Sequence, residues 1–213
     1  MSFKRIILIS RPLMWSWTAL MYLVGIGSFS HFSFLAFVEL VLFTFPFNLY
    51  LYGINDIYDV ASDRINERKD GVQGIAPKDE EIQSLKKVVW IPPLLLFLVS
   101  LISYNLEHIL IVVLAIFLAF VYSYKHTRFK EIPFLDCITS AIGYCIPALA
   151  AYSLHASIST IPITVFLIIL PYMGIHAVTT LLDDTVDAAS GMTTIGVVLK
   201  KRGTILFSIA TFF

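Results

Sequence analysis

Two short runs of acidic residues are the part of the sequence whose residue types and spacing could do chemistry. The first is Asn55-Asp56-Ile57-Tyr58-Asp59-Val60-Ala61-Ser62-Asp63, and the second is Asp183-Asp184-Thr185-Val186-Asp187. At about 100° per residue on a helix, Asn55, Asp59 and Asp63 lie on one face. Asp183 and Asp187 repeat the same i, i+4 spacing. Each run therefore predicts a stripe of side-chain oxygens.

Carboxylates this close repel each other unless a cation lies between them. Carboxylate and amide oxygens suit Mg²⁺, which binds through a few carboxylates together with substrate phosphates. Neither run contains Cys or His, which disfavours zinc. We predict catalytic metal ligands at Asp56, Asp59, Asp183 and Asp187, with Asp63 as a further metal ligand and Asn55 orienting the site. The alternative is that these residues are only solvated caps at helix ends.

Several basic residues complete the pattern of the two acidic runs. Arg64 follows the first run directly, and Arg11 precedes the first apolar segment as Arg-Pro. Such side chains can bind phosphate oxygens directly. The predicted substrate-binding residues are Asn48, Asn55, Asp63, Arg64, Lys125, Arg128 and Lys130. The alternative for the basic residues is that they only hold the orientation of the chain in a membrane.

The composition indicates where these residues must work. Hydrophobic residues make up 58% of the 213 residues, charged residues 14%, and the mean hydropathy is +0.83. Soluble domains are about one quarter charged, so we predict an integral membrane protein with a single polytopic domain, 1–213. Fifteen basic against fifteen acidic residues give no net charge. There is no overall basic field for nucleic acid, and we expect no nucleic-acid partner.

Six segments are long and apolar enough to be membrane spans, each of which needs about 20 residues. Their length and the lack of period-two alternation favour helices over strands. The predicted spans are roughly 13–30, 34–54, 88–105, 108–124, 135–153 and 161–181. A further apolar stretch, Thr204–Phe213, is too short to cross and predicts the start of a seventh span. We expect the natural gene to continue beyond Phe213.

The basic residues also predict the orientation of the chain. All fifteen Lys and Arg lie in the N-terminal segment or in 55–87, 125–134 and 182–203, which are alternate connections on one face. Cytoplasmic loops carry the excess of Lys and Arg. We therefore predict a multi-pass protein of the cell membrane whose N-terminus and acidic runs are cytoplasmic.

Metal-binding acids, phosphate-binding bases and an apolar bundle together indicate a lipid substrate with a pyrophosphate head. Metal-assisted loss of pyrophosphate leaves an allylic cation, which a dry, aromatic-lined cavity protects from water. A rival function is a cation-coupled transporter that uses the acids to bind its ion. Transporters place such ligands near the membrane midplane, whereas both runs lie at one face.

At these residues the sequence resembles the UbiA superfamily of intramembrane prenyltransferases. The superfamily carries an Asn-Asp-x-x-Asp-x-x-x-Asp motif and a later Asp-x-x-x-Asp motif, which Asn55 to Asp63 and Asp183 to Asp187 match. The run from Phe47 to Asp56 is similar to the lycopene elongase branch, as is Met173-Gly174-Ile175-His176.

The resemblance implies a ring of nine helices around a cavity, of which this all-helical chain holds six complete spans and the start of a seventh. It also implies Mg²⁺ between the two motifs and transfer of a prenyl group from an allylic prenyl pyrophosphate. The implied acceptor is a lipophilic molecule, a carotenoid such as lycopene. A quinone-type aromatic ring or a chlorophyll-like acceptor is the alternative.

Overall fold

The computed structural model describes residues 1–27, 29, 31–60, 70–71, 74–189 and 191–213. Within these residues, five helical segments are long and apolar enough to cross a membrane, and a bent pair of helices raises the number to six. The prediction of an all-helical, multi-pass membrane protein is confirmed.

The first part of the chain forms four helices. They are α1 (Phe3–Ile9), α2 (Pro12–Ile26), α3 (Phe34–Phe43) and α4 (Phe45–Tyr58). The helices α3 and α4 follow each other directly and form one 25-residue span. Two very short strands, β1 (Asp70–Gly71) and β2 (Gly74–Ile75), then pair antiparallel.

The remaining helices complete the bundle. They are α5 (Asp79–Val88), α6 (Ile91–Leu101), α7 (Leu106–Ser123), α8 (Leu135–Ser153), α9 (Ile163–Leu167), α10 (Ile169–Thr180), α11 (Asp184–Ala189) and α12 (Ile195–Phe212). Short 3-10 turns at Phe129–Glu131 and Ile158–Thr160 flank α8. The predicted span 135–153 coincides with α8.

The structure differs from the predicted spans at both ends of the chain. The first span is a bent pair, α1 and α2, whose axes differ by 60°. The bend lies just before Pro12, which has no backbone N–H to continue the α1 hydrogen bonds. The apolar stretch from Thr204 is the second part of α12, which begins already at Ile195 and departs from helical geometry at Lys200.

Close backbone contacts hold α8 in the middle of the bundle, where it packs against α2, α7 and α10. Its buried face is rich in small side chains, including Ala148 and Ala151. A Cβ on Gly25 of α2 would lie 2.1 Å from the Ala148 carbonyl oxygen, so only glycine permits this crossing. Such contacts fix the distance between α2 and α8, which both contribute to the cavity described below.

A buried polar cluster joins α2, α3, α7 and α8 near the start of the Phe34–Tyr58 span. We call Tyr22, Glu39, His108 and Ser153 the Glu39 cluster. The Tyr22 hydroxyl donates to Glu39 Oε2 at 3.0 Å, and His108 Nε2 lies 2.8 Å from Glu39 Oε1. His108 Nδ1 lies 2.9 Å from Ser153 Oγ. Both carboxylate oxygens thus have protein partners, as buried polar groups require.

Candidate active site

A cavity of about 470 Å³ lies between α2, α4, α7, α8 and α10, with the acidic segment that includes α11 at its edge. Its wall includes four oxygen-bearing residues of the two sequence motifs, Asn55, Asp59, Asp183 and Asp187. We call these four residues the acidic rim. The helices thus bring together two motifs that are far apart in the sequence.

Lys130 connects the residues of the first motif. Helix α4 ends at Tyr58, so Asn55 lies in its last turn and Asp59 directly follows it. The Lys130 ammonium donates to Asn55 Oδ1 at 3.1 Å and also to the Asp59 carboxylate. The Ser123 hydroxyl donates to Asn55 Oδ1 at 3.2 Å. The predicted i, i+4 stripe therefore exists for Asn55 and Asp59, and Lys130 binds both.

Asp56 lies beside this stripe and is almost fully buried. Arg11 Nη2 donates to Asp56 Oδ1 at 3.3 Å, and the Arg11 guanidinium lies 4.2 Å from the centre of the Tyr52 ring. Arg11 itself lines the cavity, whereas Asp56 does not. The Asp56 carboxylate therefore helps to hold a cationic side chain against the cavity wall.

Arg128 occupies the short connection between α7 and α8. Its backbone is left-handed, with φ 40°, which is costly for a residue other than glycine. In this conformation Arg128 Nη2 donates to Asp59 Oδ1 at 3.3 Å, and the guanidinium also pairs with Glu131. Arg128 thus contacts the acidic rim through Asp59. Lys125, in the same connection, is exposed to solvent.

The second motif reaches the cavity at the α10–α11 connection. Thr194 donates its hydroxyl to Asp187 Oδ2 at 3.1 Å. Burial raises the pKa of Asp187 from its ordinary value to about 6, against the lowering effect of the Thr194 hydrogen bond. The charge of Asp183 and, more weakly, that of Asp59 also raise this pKa, while Lys130 lowers it. The two motifs therefore interact electrostatically across the cavity.

The deeper wall of the cavity is aromatic. The hydroxyls of Tyr52 and Tyr144 are 2.5 Å apart, and the Tyr144 ring stacks on Tyr172 with a centroid distance of 5.8 Å. Trp17 meets the edge of Tyr172. His176 also lines this part of the wall. The rings provide faces that stabilise a nearby cation.

The structure gathers some of the predicted site residues and separates others. Asn55, Asp59, Lys130, Asp183 and Asp187 meet at the cavity, and Asp56 and Arg128 contact residues of its wall. Asp63 and Arg64 lie outside the described residues. The sequence interpretation missed Tyr52, Tyr144 and Tyr172. The three-residue spacing of Tyr52 from Asn55 could have placed Tyr52 on the motif's helix face.

Asn48, which we predicted to bind substrate, packs between helices instead. It is fully buried, and its amide nitrogen donates to Thr18 Oγ1 at 2.8 Å and to the Thr44 carbonyl at 2.8 Å. These contacts tie α4 to α2, and Asn48 does not line the cavity. Polarity within an apolar span signals a buried hydrogen bond as readily as a binding site.

The donor set of the acidic rim fits Mg²⁺. All its side chains offer carboxylate or amide oxygens, which are the ligands this ion prefers. Burial and, to a smaller extent, the charges of Asp183 and Asp59 raise the pKa of Asp187, and a bound cation would stabilise its ionised form. Asn55, Asp59, Asp183 and Asp187 are the residues that would hold the ion.

A helical membrane bundle around a cavity with an acidic rim, adjacent cations and an aromatic floor is the architecture of an enzyme that acts on a lipid with an anionic head. The UbiA prenyltransferase family model matches residues 14–213 of this chain. The chain belongs to this family, and the expectation of an enzyme of the prenyltransferase class is confirmed.

Relatives with curated descriptions are carotenoid biosynthesis proteins. The chain is 31% identical over 211 residues to a C(50) β-cyclic carotenoid biosynthesis protein of Dietzia sp., covering 95% of this chain and 48% of that protein. It is 31% identical to the lycopene elongase/hydratase of Corynebacterium glutamicum, covering 98% of this chain and 74% of that protein. The chain thus spans about half the length of the Dietzia relative.

Solved structures share the fold. A UbiA homologue from Archaeoglobus fulgidus, bound to DMAPP and Mg²⁺, superposes with a TM-score of 0.84 at 20% identity, covering 97% of this chain and 73% of that one. An apo UbiA homologue from Aeropyrum pernix K1 gives a TM-score of 0.69 at 18% identity, covering 99% and 75% of the two chains. The expected UbiA-like helical fold is confirmed.

Proposed function

We propose that this protein transfers a prenyl group from an allylic prenyl pyrophosphate to a lipophilic acceptor within the membrane, with Mg²⁺ as cofactor. The observation that carries the proposal is the acidic rim, where both aspartate motifs face one cavity beside Lys130 and Arg11. The Archaeoglobus neighbours, described as bound to DMAPP or GPP with Mg²⁺, support this choice of donor and ion.

The residues around the rim bind the donor in two ways, through cationic side chains and through carboxylates. Lys130 and Arg11 provide the cationic groups in the cavity wall that bind pyrophosphate oxygens. Arg128 contacts the rim through its hydrogen bond to Asp59. Asp59, Asp183 and Asp187 supply carboxylates, with Asp56 and Asn55 supporting them. Bound Mg²⁺ supplies neutralisation of the charge that develops on the departing pyrophosphate.

The deeper, aromatic wall of the cavity suits the allylic cation that remains when pyrophosphate leaves. Loss of pyrophosphate leaves positive charge on the allylic carbons, and the rings of Tyr52, Tyr144 and Tyr172 can face that charge. Apolar residues such as Phe47 and Leu118 line the same space and limit access of water. A dry site protects the cation from hydrolysis until the acceptor attacks.

For the acceptor we propose a carotenoid of the lycopene class. The support is the descriptions of the relatives, which name lycopene elongation and C(50) carotenoid biosynthesis. An acyclic polyene has no polar head, and the cavity wall below the rim is mostly apolar and aromatic. A quinone-type aromatic or chlorophyll-like acceptor would use the same chemistry at the rim.

For the orientation we propose that the rim faces the cytoplasm of the cell. The rim lies at the same end of the bundle as Lys130 and Arg11, and the described basic residues lie in the corresponding connections. The positive-inside rule then favours the cytoplasmic side for this end of the bundle.

The experiment offers labelled dimethylallyl pyrophosphate to membranes that contain the protein, with lycopene and an aromatic acid as parallel acceptors. We expect Mg²⁺-dependent release of pyrophosphate and a prenylated lycopene identified by product mass. Transfer to the aromatic acid alone would refute the carotenoid acceptor. Pyrophosphate release that survives both Asp59→Ala and Asp187→Ala would refute the assignment of the rim.

A further inference from the structure

His176 is a basic side chain that the proposed transfer has not yet used. It lies on α10, seven residues before Asp183, on the wall of the same cavity. Its Nε2 is buried and has no hydrogen-bond partner among the described residues. A buried imidazole nitrogen normally has such a partner, so this position calls for an explanation.

The side chains around His176 differ from those of the acidic rim. The edge of the Tyr122 ring approaches the imidazole, with centroids 6.5 Å apart. One nitrogen of His176, the Cys137 sulfur and an Asp136 oxygen lie within 4.8 Å of one another. Asp136 is buried and accepts from the backbone N–H groups of Cys137 and Ile195, which fixes its carboxylate beside the imidazole.

Among the described residues that line the cavity, His176 is the only imidazole. The other titratable groups there are the carboxylates of the rim, the cations Arg11 and Lys130, and the tyrosines of the aromatic wall. A neutral imidazole carries a nitrogen lone pair that can accept a proton, whereas an ammonium or a guanidinium carries none, and the rim carboxylates are the groups assigned to Mg²⁺.

We propose that His176 is the general base that ends the transfer by removing a proton from the prenylated acceptor. The inference rests on the proposed function. After the pyrophosphate has left with the electron pair of the C–O bond, the alkene of the acceptor uses its π electrons to form a bond to the allylic carbon. This leaves a carbocation on the acceptor. The imidazole lone pair takes a proton from the adjacent carbon, and the C–H electrons become a new C=C bond.

The surroundings of His176 suit this task. The imidazolium that forms has the Asp136 carboxylate within 4.8 Å, which stabilises its charge. His176 precedes Asp183 of the rim by seven residues, so we assign it to the acceptor and not to the pyrophosphate. Without the base, the same cation would persist until water adds to it and yields an alcohol. The base therefore decides between an alkene and an alcohol as product.

The test compares the wild-type protein with His176→Gln, using dimethylallyl pyrophosphate and lycopene. A general base contributes about 10²-fold or more, so we expect the rate of alkene formation to fall by about 10²-fold. Pyrophosphate release should keep the wild-type rate, and the alcohol should become the main product. Ser140→Ala is the matched control, since Ser140 lines the same cavity without a basic group, and it should keep the wild-type product ratio.

Each other result contradicts the inference. An unchanged alkene-to-alcohol ratio in His176→Gln would show that another group takes the proton. Loss of pyrophosphate release in a folded His176→Gln protein would place His176 in the ionisation step. A wild-type protein that makes mainly the alcohol would also refute the role. If the wild type releases no pyrophosphate at all, the proposed function fails instead, and that result is distinct from those three.

Discussion

The Glu39 cluster holds one buried acid near the start of the span Phe34–Tyr58, whereas the acidic rim gathers three acids around the other end of that span. In the Glu39 cluster, each carboxylate oxygen of Glu39 has a hydrogen-bond partner within the protein, either the Tyr22 hydroxyl or the His108 imidazole. In the acidic rim, the carboxylates of Asp59 and Asp187 face a cavity of about 470 Å³, and burial together with the neighbouring acids raises the pKa of Asp187.

The difference shows how to tell a structural acid from a functional one inside a membrane. An acid whose hydrogen bonds are all made within the protein fastens helices together. An acid that shares a cavity with other acids and with cations keeps its charge at a cost, which a ligand can offset. An acidic side chain thus holds helices together at one end of the span and faces a cavity that can bind a ligand at the other end.

The largest expected effect is on catalysis at the rim. Asp59→Ala and Asp187→Ala should each lower the rate of pyrophosphate release by about 10³-fold, because each removes a preorganised charge at the leaving group. The measurement is release of labelled pyrophosphate per folded protein. The stability of Asp187→Ala should hold or rise, since a like charge disappears from the rim, whereas Asp59→Ala should be less stable because it removes the carboxylate that Lys130 and Arg128 contact. If either variant keeps the wild-type rate, the motif that contains the substituted aspartate is not part of the active site.

The next largest effect is on the stability of the protein and concerns the Glu39 cluster. Glu39→Ala leaves His108 and the Tyr22 hydroxyl without their partner in an apolar interior. Breaking a buried pair in this way should lower the free energy of unfolding by about 3 kcal/mol. Denaturant titration in detergent measures it. Turnover per folded protein should stay at the wild-type value. If Glu39→Ala keeps full stability but loses turnover, the Glu39 cluster has a role in function, and the contrast between a structural cluster and a functional rim is wrong.

Lys130 gives a smaller effect on donor binding. Lys130→Met should raise the KM for the prenyl pyrophosphate by about 10-fold, as expected for one hydrogen bond to a charged group. Lys125→Met is the matched control, because Lys125 lies in the same connection but is exposed. Steady-state kinetics should show no change for that control. Equal effects of both variants would indicate general electrostatic attraction instead of a specific contact.

The smallest effect belongs to Asn48. Asn48→Ala removes the hydrogen bonds to Thr18 and Thr44 and should cost about 1 kcal/mol of stability. Because Asn48 does not line the cavity, the KM for the donor should stay the same. Parallel unfolding and kinetic measurements check this. A raised KM with unchanged stability would return Asn48 to the substrate-binding residues.

Periodicity and hydropathy were sufficient to predict the parts of the fold that depend on local composition. The span 135–153 agrees with α8, and Asn55 and Asp59, which the i, i+4 spacing places on one helix face, both contact Lys130. These features follow from helix geometry and from the transfer of apolar side chains into lipid. They need no knowledge of how the helices pack.

The remaining features depend on contacts between distant segments. Nothing local to Asp56 reveals that Arg11 will pair with it, and nothing local to Glu39 reveals His108. The polar residue Asn48 looked like a ligand contact because its helix partners could not be known. Three-dimensional packing decides whether a polar group in a span meets another helix or a cavity.

The most direct test of the acidic rim is calorimetric binding of a nonreactive thio analogue of dimethylallyl pyrophosphate. With Mg²⁺ present, we expect the wild type and Glu39→Gln to bind the analogue, and Asp59→Asn and Asp187→Asn each to lose that binding. Removal of Mg²⁺ by a chelator should abolish binding in the wild type and in Glu39→Gln. Binding that persists without Mg²⁺, or that survives either aspartate substitution, would contradict a single site shared by the two motifs.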